Sequence, residues 1–258
     1  MLALLSPAKK LDFKPLARGL PSTAPRFEKE VNVLAGLMKR QSRTELARLM
    51  KLSDSLADLN HQRYQAFHSL PSEEGKQAVF AFAGDTYLGF GARNLGDDDI
   101  RFAQDHVRLL SGLYGLLRPL DRIQPYRLEM GTRLDNPKGA TLYDFWKETV
   151  TAQLKEDAVA AKASAVIVLA SEEYAAAVDP AGIGVSVITP AFHVIRDGKM
   201  RSPGMTVKRM RGAMARYLVQ HRLTDAEELK KFGENGYVFR SDLSEGDTWQ
   251  FVKDETMF

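Results

Sequence analysis

Seven basic residues and no acid fall between positions 198 and 222 (GKMRSPGMTVKRMRGAMARYLVQHR): Lys199, Arg201, Lys208, Arg209, Arg211, Arg216 and Arg222. Turned as a helix at about 100° per residue from Lys208, the segment sets Met210, Ala213, Met214, Tyr217 and Leu218 on one arc. Lys208, Arg209, Arg211, Arg216 and Arg222 fall on the other. One face is expected to bury and the other to carry an unneutralised cationic stripe. Solvated helix faces usually mix signs, so the missing acids point to a polyanionic partner. A plain solvated face, or pairing with acids elsewhere in the fold, is the competing reading.

A second Arg-rich stretch carries Arg118, Asp121, Arg122, Arg127, Glu129 and Arg133 beside Tyr114 and Tyr126, and Pro119 and Pro125 keep it irregular. Asp121 and Glu129 can neutralise only part of it. Internal ion pairs and an anionic ligand are equal alternatives here.

Lysines and carboxylates also gather where apolar runs end. Leu2–Leu5 leads into Ser6, Lys9 and Lys10; Ala78–Ala83 into Gly84 and Asp85; Ala165–Ala170 into Ser171, Glu172 and Glu173. Sites in open α/β sheets lie outside the carboxyl ends of strands, so these turns are candidates to converge. A lysine facing carboxylates serves as an amine nucleophile or as a phosphate contact. Lys9 with Asp85, Asp121 or Glu129 as acid/base is the catalytic version. Turn and helix-cap roles account for each residue taken singly.

Other chemistries find little support. The histidines at 61, 68, 106, 193 and 221 form no i, i+4 pair, and Asp97-Asp98-Asp99 lacks the pattern of a calcium loop. No metal site and no cofactor are expected. There is no P-loop, no G-x-G-x-x-G and no G-x-S-x-G. The chain has no cysteine, which excludes disulfides, thiolate metal sites and thiol-based peroxide chemistry.

The elements that must position these residues alternate between strand and helix. Leu2–Leu5, Ala78–Ala83, Leu113–Leu117, Ala165–Ala170, Val185–Thr189, Tyr237–Phe239 and Trp249–Val252 read as strands, and residues 14–25 as an extended connection. Phe27–Arg40, Tyr143–Ala161 and Lys208–Arg222 read as helices, with Thr224–Lys230 a short one. A further helix opens at Gly96-Asp97-Asp98-Asp99 with the stripe Ile100, Ala103, Val107 and Leu110. Thr44–Phe67 has the proportions of a helix–hairpin–helix, with Ser53, Asp54 and Ser55 in place of the expected glycines. The expectation is one mixed α/β domain over residues 1–258, since no linker or repeat divides the chain.

Composition sets the frame. The 258 residues are 44% apolar and 27% charged, as in ordinary globular proteins. Of a net charge of +3, residues 198–222 carry +7, leaving −4 for the remainder. The N-terminal MLALLSPAKKLDF has too short an apolar run for a signal peptide, and no segment approaches a membrane span. A cytoplasmic location without membrane association is the expectation.

Taken together, LSPAK (5–9), MKLSDSLADLN (50–60), LSGLYGLLRPLDRIQPYRLEMGTRL (110–134), LASEEY (169–174), KRMRGAMARY (208–217), HRLT (221–224) and GYVF (236–239) closely resemble the YaaA family of bacterial peroxide-stress proteins. The resemblance implies a cytosolic α/β domain, induced by hydrogen peroxide, that limits damage to DNA and protein by lowering unincorporated iron. It also implies double-stranded DNA binding through a positively charged cleft and a helix–hairpin–helix element, with no obligate protein partner. Carried over by position, the family's basic residues are Lys9, Arg118, Arg127, Lys208, Arg209, Arg211 and Arg216, and these together with Lys10 beside Lys9 are the expected DNA-binding residues. Asp121 and Glu129 match as acids. Lys10 and Met210 depart from the family's usual small residues.

Two functions from different classes follow. One is a DNA-binding stress protein whose contacts go mainly to phosphates. The other is a nucleic-acid-processing enzyme, lyase- or glycosylase-like, using Lys9 with a nearby carboxylate on a base turned out of the stack.

Overall fold

The fold is seen in a computed structural model that describes residues 1–16 and 18–255. Ala17, within the extended connection expected over 14–25, and positions 256–258 of the expected 1–258 domain lie outside the described residues. In chain order the main elements are β1 (Leu2–Leu5), α1 (Glu28–Lys39), α2 (Arg43–Met50), α3 (Asp54–Gln65), β2 (Lys76–Gln77), α4 (Ala78–Ala81), α5 (Asp85–Phe90), α6 (Asp97–His106), β3 (Val107–Ser111), β4 (Gly115–Leu117), β5 (Arg122–Ile123) and α7 (Leu142–Ala160). There follow β6 (Ala165–Leu169), α8 (Glu172–Ala175), α9 (Pro180–Ile183), β7 (Ser186–Arg196), β8 (Lys199–Arg201), α10 (Gly204–Gln220), β9 (Val238–Glu245) and β10 (Thr248–Asp254).

Eight strands form one mixed sheet in the order β4-β3-β1-β6-β7-β10-β9, with β8 paired to β7. β1 lies parallel to both β3 and β6, and β7 is parallel to β6 and then to β10. Every residue of β1, β3 and β6 is buried. That explains why β1 and β6 read as unbroken apolar runs: a central parallel strand has both faces covered. The result is a single mixed α/β domain, as the alternation of elements led one to expect.

Three expectations change. Ala78–Ala83 is no strand: residues 78–81 form one helical turn, and Phe82 makes an isolated bridge to Leu11. A short buried apolar run has no period that separates helix from strand. The helix opening at Asp97 ends at His106, and Val107 and Leu110 belong to β3 instead of to its stripe. The expected strand over Leu113–Leu117 contracts to Gly115–Leu117.

The Thr44–Phe67 region does fold as two helices, α2 and α3. Ser42 caps α2 by accepting from the Glu45 amide (3.3 Å), while Glu45 accepts from the Ser42 amide (2.8 Å). The connection turns at Lys51, with φ of 52°, instead of at a glycine.

Candidate nucleic-acid interface

Parallel pairing sets Leu5 of β1 opposite Leu169 of β6, so both strands end level and release Ser6 and Ser171 side by side. The Ser6 hydroxyl accepts from the Ser171 amide (2.8 Å) and donates to its Oγ (3.3 Å). Ser171 thus occupies an N-cap position without capping; its hydroxyl ties the two strand ends together. Tyr87 of α5 donates its hydroxyl to the Ser6 carbonyl (3.0 Å), which brings Asp85 to the same place. The three turns therefore converge, although the one at Asp85 follows a helical turn. They line a cleft of about 460 Å³ together with Lys9, Lys10, Lys208 and Arg211.

The stripe of α10 is not one continuous face. α5 packs across it at Gly212, which lies 40° from Lys208 on the wheel, in the middle of the basic arc. A Cβ there would sit 1.8 Å from the Thr86 carbonyl oxygen, and one on Gly89 would sit 2.1 Å from that of Arg209. The two helices touch backbone to backbone. Lys208 and Arg211 consequently face the first cleft, while Arg209 and Arg216 face a second of about 830 Å³, which also takes in Arg201, Glu234, and Arg196 and Lys253 paired to Glu255. The expectation of a single stripe is corrected on this point: a glycine amid cations lets another helix dock there.

Pairing across the stripe is uneven. Arg216 is ion-paired to Glu234, and Arg209 lies 3.5 Å from Asp85. Arg222 is 2.8 Å from Asp99 and lies over the Phe102 ring, so that end of the stripe fastens α10 to α6. Arg211 is the opposite case: its Nε is buried with no hydrogen-bond partner. Burial pushes the Arg211 guanidinium below its ordinary value, partly opposed by Glu172.

Lys9 and Arg127 share one carboxylate. Lys9 Nζ lies 3.2 Å from Glu129 Oε1, and Arg127 Nη2 approaches the same oxygen to 3.0 Å. Two cations over one acid leave a surplus positive charge beside the first cleft. The helical hairpin reaches this point, because Tyr64 of α3 donates its hydroxyl to the Arg127 carbonyl (2.8 Å). Glu173 fixes the neighbouring loop by accepting from the Gly131 amide (3.0 Å).

Arg118 and Asp121 stand apart and line neither cleft. Asp121 is fully buried and accepts from the Thr23 hydroxyl (2.6 Å), the Arg118 amide (2.7 Å) and the Arg118 guanidinium (2.7 Å). Arg118 also donates to the Ala24 carbonyl (3.0 Å). The pair pins the 23–24 segment to the turn before β5. Arg122 is paired with Glu73. Arg118, Arg122 and Arg127 of the second Arg-rich stretch thus each have an internal carboxylate partner, which Arg127 shares with Lys9.

Of the residues singled out by sequence, the structure gathers Lys9, Lys10, Asp85, Lys208 and Arg211 around one cleft, with Glu129 against Lys9. Arg209 and Arg216 go to the second. Sequence reasoning missed Arg196 and Lys253, brought there by the parallel pairing of β7 and β10. It also missed Leu88, which borders both clefts; neither local pattern nor charge marks that residue. Among the described residues there is no group of three His, Asp or Glu side chains placed to hold a metal ion. Nor is any helix long and apolar enough to cross a membrane.

Comparison with known proteins agrees with the motif-level resemblance. Residues 1–243 match the family model described as "Peroxide stress protein YaaA". The chain is 46% identical over 253 residues to a UPF0246 protein of Caulobacter vibrioides, covering 98% of this chain and 99% of that one. It is 46% identical over 256 residues to a UPF0246 protein of Hahella chejuensis (98% and 100% covered), and 47% identical over 253 residues to one of Phenylobacterium zucineum (98% and 95% covered). With a family model over nearly its whole length and relatives this similar from end to end, the chain belongs to the YaaA family of peroxide stress proteins.

Proposed function

We propose that this member of a peroxide-stress family binds double-stranded DNA through the two basic clefts flanking α5. The observation that carries the reading is the division of α10: Lys208 and Arg211 join Lys9 and Lys10 on one side, while Arg209 and Arg216 join Arg196 and Arg201 on the other. Cations in two rows suit the two phosphate rows that border a DNA groove. The α2–α3 hairpin, tied to Arg127 through Tyr64, extends the surface in the manner of a helix–hairpin–helix.

Such binding also gives iron a role without a metal site on the protein. Cationic side chains on phosphates release the counterions condensed there. Ferrous ion held at DNA is displaced with them, away from where peroxide would convert it to a damaging oxidant. The test is titration of labelled duplex at several salt concentrations with the wild type and a Lys208→Ala/Arg209→Ala/Arg211→Ala variant. Tight, salt-sensitive binding that the triple variant loses supports the reading; no binding at low salt, or equal binding by the variant, overturns it.

The enzymatic reading draws on Lys9, which contacts Glu129 at 3.2 Å and shares the first cleft with Asp85. An amine nucleophile calls for a desolvating pocket or a second cation pressed against it. The Lys9 side chain is instead 66% exposed and ion-paired, which suits a phosphate contact better. Borohydride treatment of the protein with an abasic-site duplex is expected to trap no covalent complex, and a trapped adduct lost in Lys9→Ala would reverse that preference.

A further inference from the structure

Leu88 is 63% exposed on α5 and borders both basic clefts. A single exposed leucine on a protein surface is ordinary. Its neighbours set this one apart: Lys208 and Arg211 lie to one side and Arg209 and Arg216 to the other. The apolar side chain thus stands between two clefts in which cations outnumber acids: Lys9, Lys10, Lys208 and Arg211 against Asp85 and Glu173 in one, and five cations against Glu234 and Glu255 in the other. Met205, 65% exposed, also borders the larger cleft.

The mounting is rigid. Tyr87 and Phe90, to either side along α5, are buried, and Tyr87 is bonded to the Ser6 carbonyl. Gly89 rests its backbone against that of Arg209, and Gly212 rests against Thr86. Backbone contacts this close hold the Leu88 position fixed when a partner approaches. Duplex DNA has the complementary chemistry, with anionic phosphates along both groove edges and apolar base faces in the stack between them. Proteins that kink DNA insert a leucine, phenylalanine or similar wedge between base pairs while holding the backbone on each side.

We propose that Leu88 is such a wedge, entering the base stack of bound duplex DNA while the two clefts hold the phosphates to either side. The inference rests on the DNA-binding reading above. Insertion should favour easily unstacked pyrimidine–purine steps, and nicked or mismatched positions where stacking is already weakened.

The test uses the full chain and a short duplex with one central TA step whose adenine is replaced by 2-aminopurine, a base whose fluorescence rises on unstacking, with a dye pair on the ends to read bending. The wild type is expected to raise the 2-aminopurine signal and shorten the end-to-end distance. Leu88→Ala should abolish both changes while losing less than about tenfold in affinity, since phosphate contacts carry most of the binding. Leu88→Phe should restore them. Leu88 is exposed, so circular dichroism should show all three proteins folded alike. Binding by the wild type without a fluorescence rise, or an equal rise with Leu88→Ala, overturns the wedge and leaves DNA binding standing. Absence of any binding at low salt overturns the DNA reading, and the wedge with it.

Discussion

A methyl carbon on Gly212 would lie 1.8 Å from the carbonyl oxygen of Thr86, far closer than unbonded carbon and oxygen atoms can approach. This contact makes one unit of α5 and α10 and divides the basic residues between two clefts. At an open helix position, Gly→Ala stabilises by up to about 1 kcal/mol. Here the sign should reverse. Gly212→Ala is expected to destabilise by at least the roughly 1–3 kcal/mol typical of overpacking, because backbone must move to admit the methyl. Urea denaturation measures it. A variant more stable than the wild type would show that the helices do not meet here.

The two clefts make separable contributions to the salt dependence of DNA binding. Each lost phosphate contact lowers the magnitude of the slope of log K against log salt by about 0.9. Lys208→Ala in the first cleft and Arg209→Ala in the second should each remove about one such contact, and the double variant about two. Arg222→Ala should leave the slope unchanged, because that guanidinium lines neither cleft and is held by Asp99 and the Phe102 ring. A slope unmoved by the double variant would place the phosphates elsewhere.

Asp121 is expected to serve stability and not binding. It is fully buried, with Arg118 and Thr23 as partners. Asp121→Ala leaves the Arg118 charge without its counter-ion, and losses of about 3 kcal/mol follow from breaking buried pairs in this way. Measured at a temperature where the variant stays folded, its affinity for duplex should match the wild type. A tenfold weaker affinity with unchanged stability would instead return Asp121 to the candidate site.

How much of this was legible in the sequence differs between fold and site. The apolar runs at Leu2–Leu5 and Ala165–Ala170 marked the central strands, because burial on both faces leaves no room for polar residues. The residues after them marked the first cleft for the same reason: two parallel strands that end level must release their next residues together. Ala78–Ala83 was misread because so short a buried apolar run makes one helical turn or one short strand equally well. The division of the stripe was written in Gly212, a glycine at the centre of a cationic arc. Its meaning depended on α5, about 120 positions earlier in the chain. The second cleft needed the pairing of β7 with β10, and tertiary pairing of that kind leaves no local pattern.

His106 supplies a pH-dependent element at the junction of α6 and β3. Its Nδ1 is 3.0 Å from the Met1 carbonyl, and its ring stacks on Phe102 at 4.0 Å. Burial pushes its pKa below the ordinary value, and the favourable pull of the Met1 carbonyl and Asp105 does not restore it. The sign follows. Well above the unfolded value of about 6.5, both states hold a neutral ring and the full stability is present. As pH falls through that value the unfolded chain takes up a proton that the folded protein resists. Stability is therefore lost, and the loss levels off only below the depressed folded value. His106→Asn keeps a donor towards the Met1 carbonyl but cannot titrate. Urea denaturation between pH 7.5 and 5 should give a falling profile for the wild type and a flatter one for His106→Asn. Carboxylate titration is common to both proteins, so the difference between the profiles isolates the imidazole, and parallel profiles would place the acid sensitivity in other groups.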